Sequence, residues 1–144
     1  MRILTAVGAV VAAGGLTIGL MSPATAAGRD PSRTVSVKTR DSGAIGATGA
    51  FWGDANGRDS DNPEVLGACD KQADGLRAWA KATWKAGGTS HSRTAEDANG
   101  AELGTCKKTV LPNVKDGTTV HIQVCLKHGH HGTHRYCGRG TGVA

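Results

Sequence analysis

The chain has 144 residues, a formal net charge of +5, and only three tryptophans, one tyrosine and one phenylalanine. Its basic residues are scattered rather than clustered, which argues against a nucleic-acid binder, because such proteins concentrate positive charge on one face and interleave it with aromatic side chains. So few aromatics leave little apolar area to bury, and small secreted domains commonly offset that shortage with disulfides.

Residues 1–26 predict a secretory signal peptide. Arg2 precedes an apolar run over residues 3–21, and Ala24-Thr25-Ala26 supplies a small-x-small cleavage pattern. The run is almost long enough to span a membrane, but its glycines and the cleavage motif directly after it favour a leader over an anchor. We therefore expect an extracellular protein that starts near residue 27 and has no membrane association after cleavage.

Residues 27–46 predict a flexible N-terminal segment with one strand-like stretch. The segment is polar, small and glycine-rich, and alternation is confined to Thr34, Val35, Ser36, Val37 and Lys38. We expect the segment to be either a disordered tail or a strand that pairs with something, and the partner-binding hypothesis takes this stretch as an isolated strand outside the compact core. Those five residues are the candidate partner-binding residues, because an unpaired strand can add to the sheet of another secreted protein.

Residues 47–144 predict one all-β domain, a small antiparallel β-sandwich of about six to eight short strands. Short alternating stretches, such as residues 64–69, 90–96 and 106–111, are separated by turn signals and show no repeat, which fits a sandwich better than a helical bundle. Residues 53–63 are rich in Asp, Asn and Gly. They depart from a calcium-binding loop because Arg58 occupies a ligand position and no glutamate closes the loop, so we interpret them as a turn.

Residues 76–84 fit two structures. The spacing of Leu76, Trp79, Ala80, Thr83 and Trp84 is typical of an amphipathic helix, whereas a strand would alternate the even and odd positions. Local propensity favours the helix, and the surrounding short strands and turns favour the strand.

Four cysteines predict two disulfides, since an even count in an exported chain indicates oxidised pairs. Sequence alone permits three pairings of Cys69, Cys106, Cys125 and Cys137. In the stretch from Thr118 to Gly138, Val120 and its alternate neighbours form one aliphatic face, which leaves Cys125 and Cys137 on the other face. We therefore favour Cys125–Cys137, which leaves Cys69–Cys106. A zinc site is disfavoured because no Cys-x-x-Cys pair exists.

The loop of that predicted hairpin is crowded with His128, His130, His131 and His134. Imidazoles so spaced can bind Zn²⁺ or Cu²⁺. The loop has three Gly/Thr breaks and no carboxylate close in sequence, so its geometry is not visibly fixed and adventitious affinity is favoured over a working metal site. We expect no cofactor.

Several short motifs support a resemblance to a known group of proteins. They are Cys69-Asp70, Ala73-Asp74-Gly75, a strand that ends in Trp84, Cys106, Lys115-Asp116-Gly117-Thr118, Val124-Cys125-Leu126 and Cys137-Gly138. Over residues 47–138 the chain resembles small exported proteins of streptomycetes and related actinomycetes. The resemblance implies a compact β-sandwich with two disulfides, and it favours a strand for residues 76–84.

A similar small secreted protein is the adaptor subunit of the streptomycete umbrella toxin particles, which joins lectin-like subunits to a large toxin-bearing repeat protein. The resemblance therefore implies an adaptor role in an extracellular toxin complex, which the long N-terminal segment would suit.

Enzymatic motifs are missing from the sequence. It has no Gly-x-Ser-x-Gly elbow and no His-Glu-x-x-His, and Asp70 and Asp74 are better explained as turn residues than as a catalytic pair. We expect a non-enzymatic, secreted protein-binding module. Two alternatives are a metal-binding or metal-dependent secreted protein that uses the histidine-rich loop, and an extracellular protease inhibitor that presents Lys127 or Arg135.

Overall fold

Two four-stranded antiparallel sheets make up the fold in a computed structural model that describes residues 35–53, 63–100 and 105–144. The first sheet has the order β1-β2-β3-β6, and the second has the order β5-β4-β7-β8. The strands are β1 (Val35–Lys38), β2 (Ala47–Trp52), β3 (Val65–Asp70), β4 (Leu76–Ala86), β5 (Thr89–Asp97), β6 (Lys107–Val110), β7 (Thr119–His128) and β8 (Arg135–Val143). The prediction of an all-β fold with two disulfides is confirmed.

No helix that could cross a bilayer occurs among the residues that the structure describes. The predicted leader, Thr34 and the Asp/Asn-rich stretch at residues 54–62 lie outside those residues.

The core lies between the two sheets and is built from alternate side chains of the strands. The side chains of β7 that face it are Val120, Ile122, Val124 and Leu126. The inward side chains of β4 include three alanines, which add little area, and Trp84, which is buried and adds much more. Phe51, Leu66 and Leu111 supply much of the remaining apolar burial. Each large apolar side chain that is fully buried contributes about 1.5–3 kcal/mol to folding.

The ambiguous stretch at residues 76–84 is strand β4. It pairs with β5 along one side and with β7 along the other. Because both its edges are hydrogen-bonded and its alanines fill the narrow space between the sheets, tertiary pairing overrides local helix propensity. The two-residue turn to β5 is Gly87-Gly88, with φ of 57° and 81°, as a tight hairpin turn requires.

The N-terminal strand belongs to the sandwich, so the prediction of an isolated strand outside the core is wrong. Strand β1 pairs with β2, from Val35 opposite Phe51 to Lys38 opposite Thr48. Val37 is only 6% exposed and Val35 packs against the same core. Two alternating valines are enough to fill the space between the sheets at this point, because the strand that faces them, β8, presents glycines there.

Contacts between β1 and β8 close one edge of the sandwich. A Cβ on Gly138 would overlap the Lys38 carbonyl oxygen, and one on Gly140 would lie 2.7 Å from Val37 Cγ2. The Arg40 N–H donates to the Tyr136 carbonyl at 2.8 Å. The glycines of β8 therefore let the backbones of the two sheets approach at this edge.

Both predicted disulfide pairs are present. Cys69–Cys106 has a Cα–Cα distance of 4.3 Å and Cys125–Cys137 one of 4.2 Å. On the chain-entropy model these loops stabilise the fold by about 4 and about 3 kcal/mol, respectively. Cys137 lies in a bulge that the sequence did not predict, since the register of β7 with β8 shifts between Val124 and Leu126.

Candidate functional site

Charged and polar side chains are concentrated on the outer face of the second sheet. We define this face as the side chains of the sheet that point away from the core. On β4 and β7 these are the alternate residues between the buried ones, and β5 and β8 continue the same rows. The face carries five cations and a single carboxylate, Glu96, from its four strands. The cations are Arg77, Lys81, Lys85, Lys127 and Arg139.

Glu96 organises one end of the outer face. Its carboxylate accepts from Lys127 Nζ at 2.6 Å and from Arg77 Nη1 at 3.1 Å, and it lies 3.3 Å from His130 Nδ1. Burial would raise the pKa of Glu96, but hydrogen bonds from Lys127 and Arg77 outweigh that effect and lower it. Lys127, only 5% exposed, also donates to the His130 carbonyl at 2.7 Å.

His134 belongs to the same cluster and packs on Trp79. Its ring lies 3.9 Å from that of Trp79, measured between centroids, with an interplanar angle of 35°. Burial lowers the pKa of His134, and the charge of Lys127 lowers it further. The histidine-rich loop is therefore held against the sheet at both His130 and His134, contrary to the expectation that its geometry is not fixed.

The four candidate metal ligands do not converge. His128 lies at the end of β7, the His130 and His131 rings meet edge to face at 4.8 Å, and His134 packs on Trp79. Within the described residues, no three His, Cys, Asp or Glu side chains come together as a metal site. The carboxylate that was expected to be missing is Glu96, which is 34 residues away from His130 along the chain.

Carboxylates elsewhere accept hydrogen bonds from backbone N–H groups, and of these Glu64 and Asp97 are buried whereas Asp74 is exposed. Glu64 accepts from the Val114 N–H, Asp97 accepts from the Asp70 N–H, and Asp74 accepts from the Leu76 N–H two residues on. Burial raises the pKa of Asp70, which accepts from the Gln72 N–H. These bonds confirm the interpretation of Asp70 and Asp74 as turn residues.

A groove crosses the middle of the outer face, with a volume of about 370 Å³. Two rows of side chains line it, one from each of two neighbouring levels of the sheet. The rows are Lys81, Gln123 and Arg139, and Thr83, His121 and Thr141. The backbones of Ile122 and Gly140 lie between them.

The second sheet also has an open edge, which we call the β5 edge and define as residues 89–94. All six of these residues are exposed, and β5 pairs within its sheet only with β4. Because the two-residue turn makes Ala86 and Thr89 a hydrogen-bonded pair, alternation turns the backbone groups of Ser90, Ser92 and Thr94 away from β4. The Thr94 carbonyl accordingly accepts from Thr109 Oγ1 of β6 at 2.9 Å.

The predicted partner-binding residues lie at the opposite side of the molecule. Val35 and Val37 pack into the core, whereas Ser36 and Lys38 are exposed. The Lys38 carbonyl faces Gly138 of β8. The polar composition of residues 90–96 predicts an edge strand, and β5 is one. The sequence did not indicate that its second side is free for a partner, because that depends on the topology of both sheets.

Neither a protein-family model, nor a curated protein, nor a solved structure matches this chain.

Proposed function

We propose that this chain is a secreted, non-enzymatic protein-binding module that takes up an extended segment of a partner protein along the β5 edge. The observation that carries the proposal is a run of six exposed residues on an edge strand, with outward-facing backbone groups at Ser90 and Ser92. Strand addition uses such groups, because the main chain supplies the hydrogen bonds and the alternate side chains supply the selectivity.

The composition of the β5 edge suits a partner rather than another copy of the chain. Proteins protect edges with proline, lysine, bulges or short strands. The β5 edge has no proline, no lysine and no bulge, and its one charged residue is Arg93, which donates to the Ser92 carbonyl at 3.3 Å. Its Ser, Thr and His side chains are polar, so it also lacks the apolar character that drives self-association.

Export supports the same proposal. The predicted leader directs the chain outwards, and both disulfides are formed, as suits an oxidising compartment. The finer proposal, an adaptor in an extracellular toxin complex, is supported by the resemblance to actinomycete exported proteins. An adaptor needs two contact surfaces, so the β5 edge would be one of them.

The two alternative functions receive less support from the geometry. His130 and His134 are engaged by Glu96 and Trp79 rather than directed at a common point. Lys127 is buried and ion-paired, so it is not presented to a protease. Arg135 is exposed, but its backbone pairs with Leu126 in the β7–β8 ladder, so it lies on a strand rather than on a protruding inhibitory loop.

Capture from culture supernatant tests the proposal with a matched pair of variants. Ser92→Pro removes an outward-facing N–H and blocks an incoming strand, and an edge strand tolerates proline where that N–H faces solvent. Ser92→Ala removes only the hydroxyl. We expect the wild type and Ser92→Ala to retain the same partner, identified by mass spectrometry, and Ser92→Pro to lose it. Equal capture by all three folded proteins would contradict strand addition at β5.

A further inference from the structure

The groove on the outer face holds two cations that the rest of the structure does not neutralise. Within residues 35–53, 63–100 and 105–144, the side chains of Lys81 and Arg139 form no ion pair or hydrogen bond, although both backbones are paired in the sheet. The single outward carboxylate of these four strands, Glu96, is already bound by Arg77 and Lys127. The positive charge of the groove is therefore available to a ligand.

The register of the sheet aims both cations at the same space. Lys81 lies opposite Gln123, and Gln123 lies opposite Arg139. Since adjacent strands are about 4.8 Å apart, the backbones of Lys81 and Arg139 lie about 10 Å apart. Their side chains are long enough for both to reach one anion bound between them. The Gln123 amide stands between them as a neutral donor.

The second row of the groove adds further donors. Thr83, His121 and Thr141 are register neighbours on the same three strands, one level along the sheet from the cations. Hydroxyls and imidazole N–H groups donate to oxygen, and the guanidinium of Arg139 can donate two parallel hydrogen bonds to one oxyanion. The six side chains form a donor set around a cavity of about 370 Å³.

We propose that this groove is an oxyanion-binding site, which takes a carboxylate, phosphate or sulfate group between Lys81 and Arg139. The site is separate from the β5 edge, so it does not rest on strand addition. Thr94 and Ser92 of β5 are nevertheless the register neighbours of Lys81 and Thr83, so a partner on that edge would lie beside the groove.

Titrations followed by the amide spectrum of the ¹⁵N-labelled mature chain test the site. The probes are sodium phosphate, sodium sulfate, sodium acetate and a tetraglutamate peptide, at an ionic strength held constant with sodium chloride. We expect saturable shifts at residues 81–83, 121–123 and 139–141. Preference for phosphate and sulfate, or for acetate and the peptide, identifies the source of the oxyanion.

Charge-matched double variants separate a site from general attraction. Lys81→Gln with Arg139→Gln should weaken binding at least about tenfold, because the loss of a single hydrogen bond from a charged donor already lowers the affinity by about that factor. Lys107→Gln with Lys115→Gln removes the same charge from exposed positions elsewhere and should leave the affinity within about twofold. Equal weakening by both pairs, or no saturable shift in the groove with any probe, would overturn the proposal. Ser92→Pro should leave the shifts unchanged.

Discussion

Lys127 of β7 and Glu96 of β5 form an ion pair that reaches across the intervening strand β4, with 2.6 Å between Nζ and Oε2. Glu96 is the register neighbour of Trp79, and Lys127 that of Arg77, so the pair runs diagonally over the face. Because Lys127 Nζ also bonds the His130 carbonyl, this ion pair connects the sheet to the histidine-rich loop.

Glu96→Gln should destabilise the fold by about 3 kcal/mol, because it leaves the buried ammonium of Lys127 without its carboxylate. Urea unfolding measures the change. Lys85→Met is the control, since Lys85 is exposed on the same sheet and surface substitutions of that kind stay within about 0.5 kcal/mol. A Glu96→Gln protein as stable as the control would show that the cluster does not stabilise the fold.

Stability should fall as the pH drops below 6.5, through the titration of His134. Burial and Lys127 lower the pKa of His134 from its ordinary value of 6.5. At pH values between the lowered pKa of the folded protein and 6.5, the unfolded chain binds the proton and the folded protein does not. Protonation therefore favours unfolding, and stability rises with pH over this interval. Lys127 and Lys81 oppose the imidazolium, and Glu96 favours it.

Urea unfolding of the wild type and His134→Gln between pH 5 and 7.5 checks this. The pH dependence should be smaller in His134→Gln than in the wild type, and His131→Gln, at an exposed position, should keep it. The contribution of Glu96 stays constant over this range, because its lowered pKa places its loss at more acidic pH. An unchanged slope in His134→Gln would contradict the assignment.

Gly138→Ala should destabilise the protein more than Gly140→Ala. The new Cβ at Gly138 meets the fixed backbone oxygen of Lys38, whereas that at Gly140 meets Val37 Cγ2 at 2.7 Å. Overpacking a side chain costs about 1–3 kcal/mol, and a backbone clash costs more because the strand itself must move. Thermal unfolding against Thr141→Ala, an exposed neighbour, measures both. The reverse order would mean that β1 does not pack on β8 as described.

Deletion of residues 28–42 should lower stability by several kcal/mol. The deletion removes β1, and with it the buried side chain of Val37 and the partner of β2. Urea unfolding of the deleted and full mature chains gives the difference. Equal stability would restore the interpretation of this segment as a separate, dispensable strand.

Alternation and cysteine placement carried most of the fold prediction. The aliphatic face of β7 and the Cys125–Cys137 pair follow from a period of two residues, which is a local property, and Cys69–Cys106 is then the remaining pair. The place of β1 was not predictable in that way. Its two valines became core residues because β8, a hundred residues later in the chain, supplies glycines opposite them.

The candidate sites were harder to predict because each depends on pairs distant in sequence. The clustered histidines indicated a candidate site in one loop. Glu96 and Trp79, which contact that loop, come from β5 and β4. The groove needs the register of three strands before Lys81, Gln123 and Arg139 become neighbours. No local spacing in the sequence indicates such a row.

Amide hydrogen exchange of the labelled protein, with and without its captured partner, tests the central proposal most directly. If the partner adds a strand at the β5 edge, the outward-facing amides of Ser90 and Ser92 should exchange at least about tenfold more slowly in the complex, because they then donate to the partner backbone. The amides of β1 should change little. Unchanged exchange at Ser90 and Ser92 together with new protection along β1 would contradict the account.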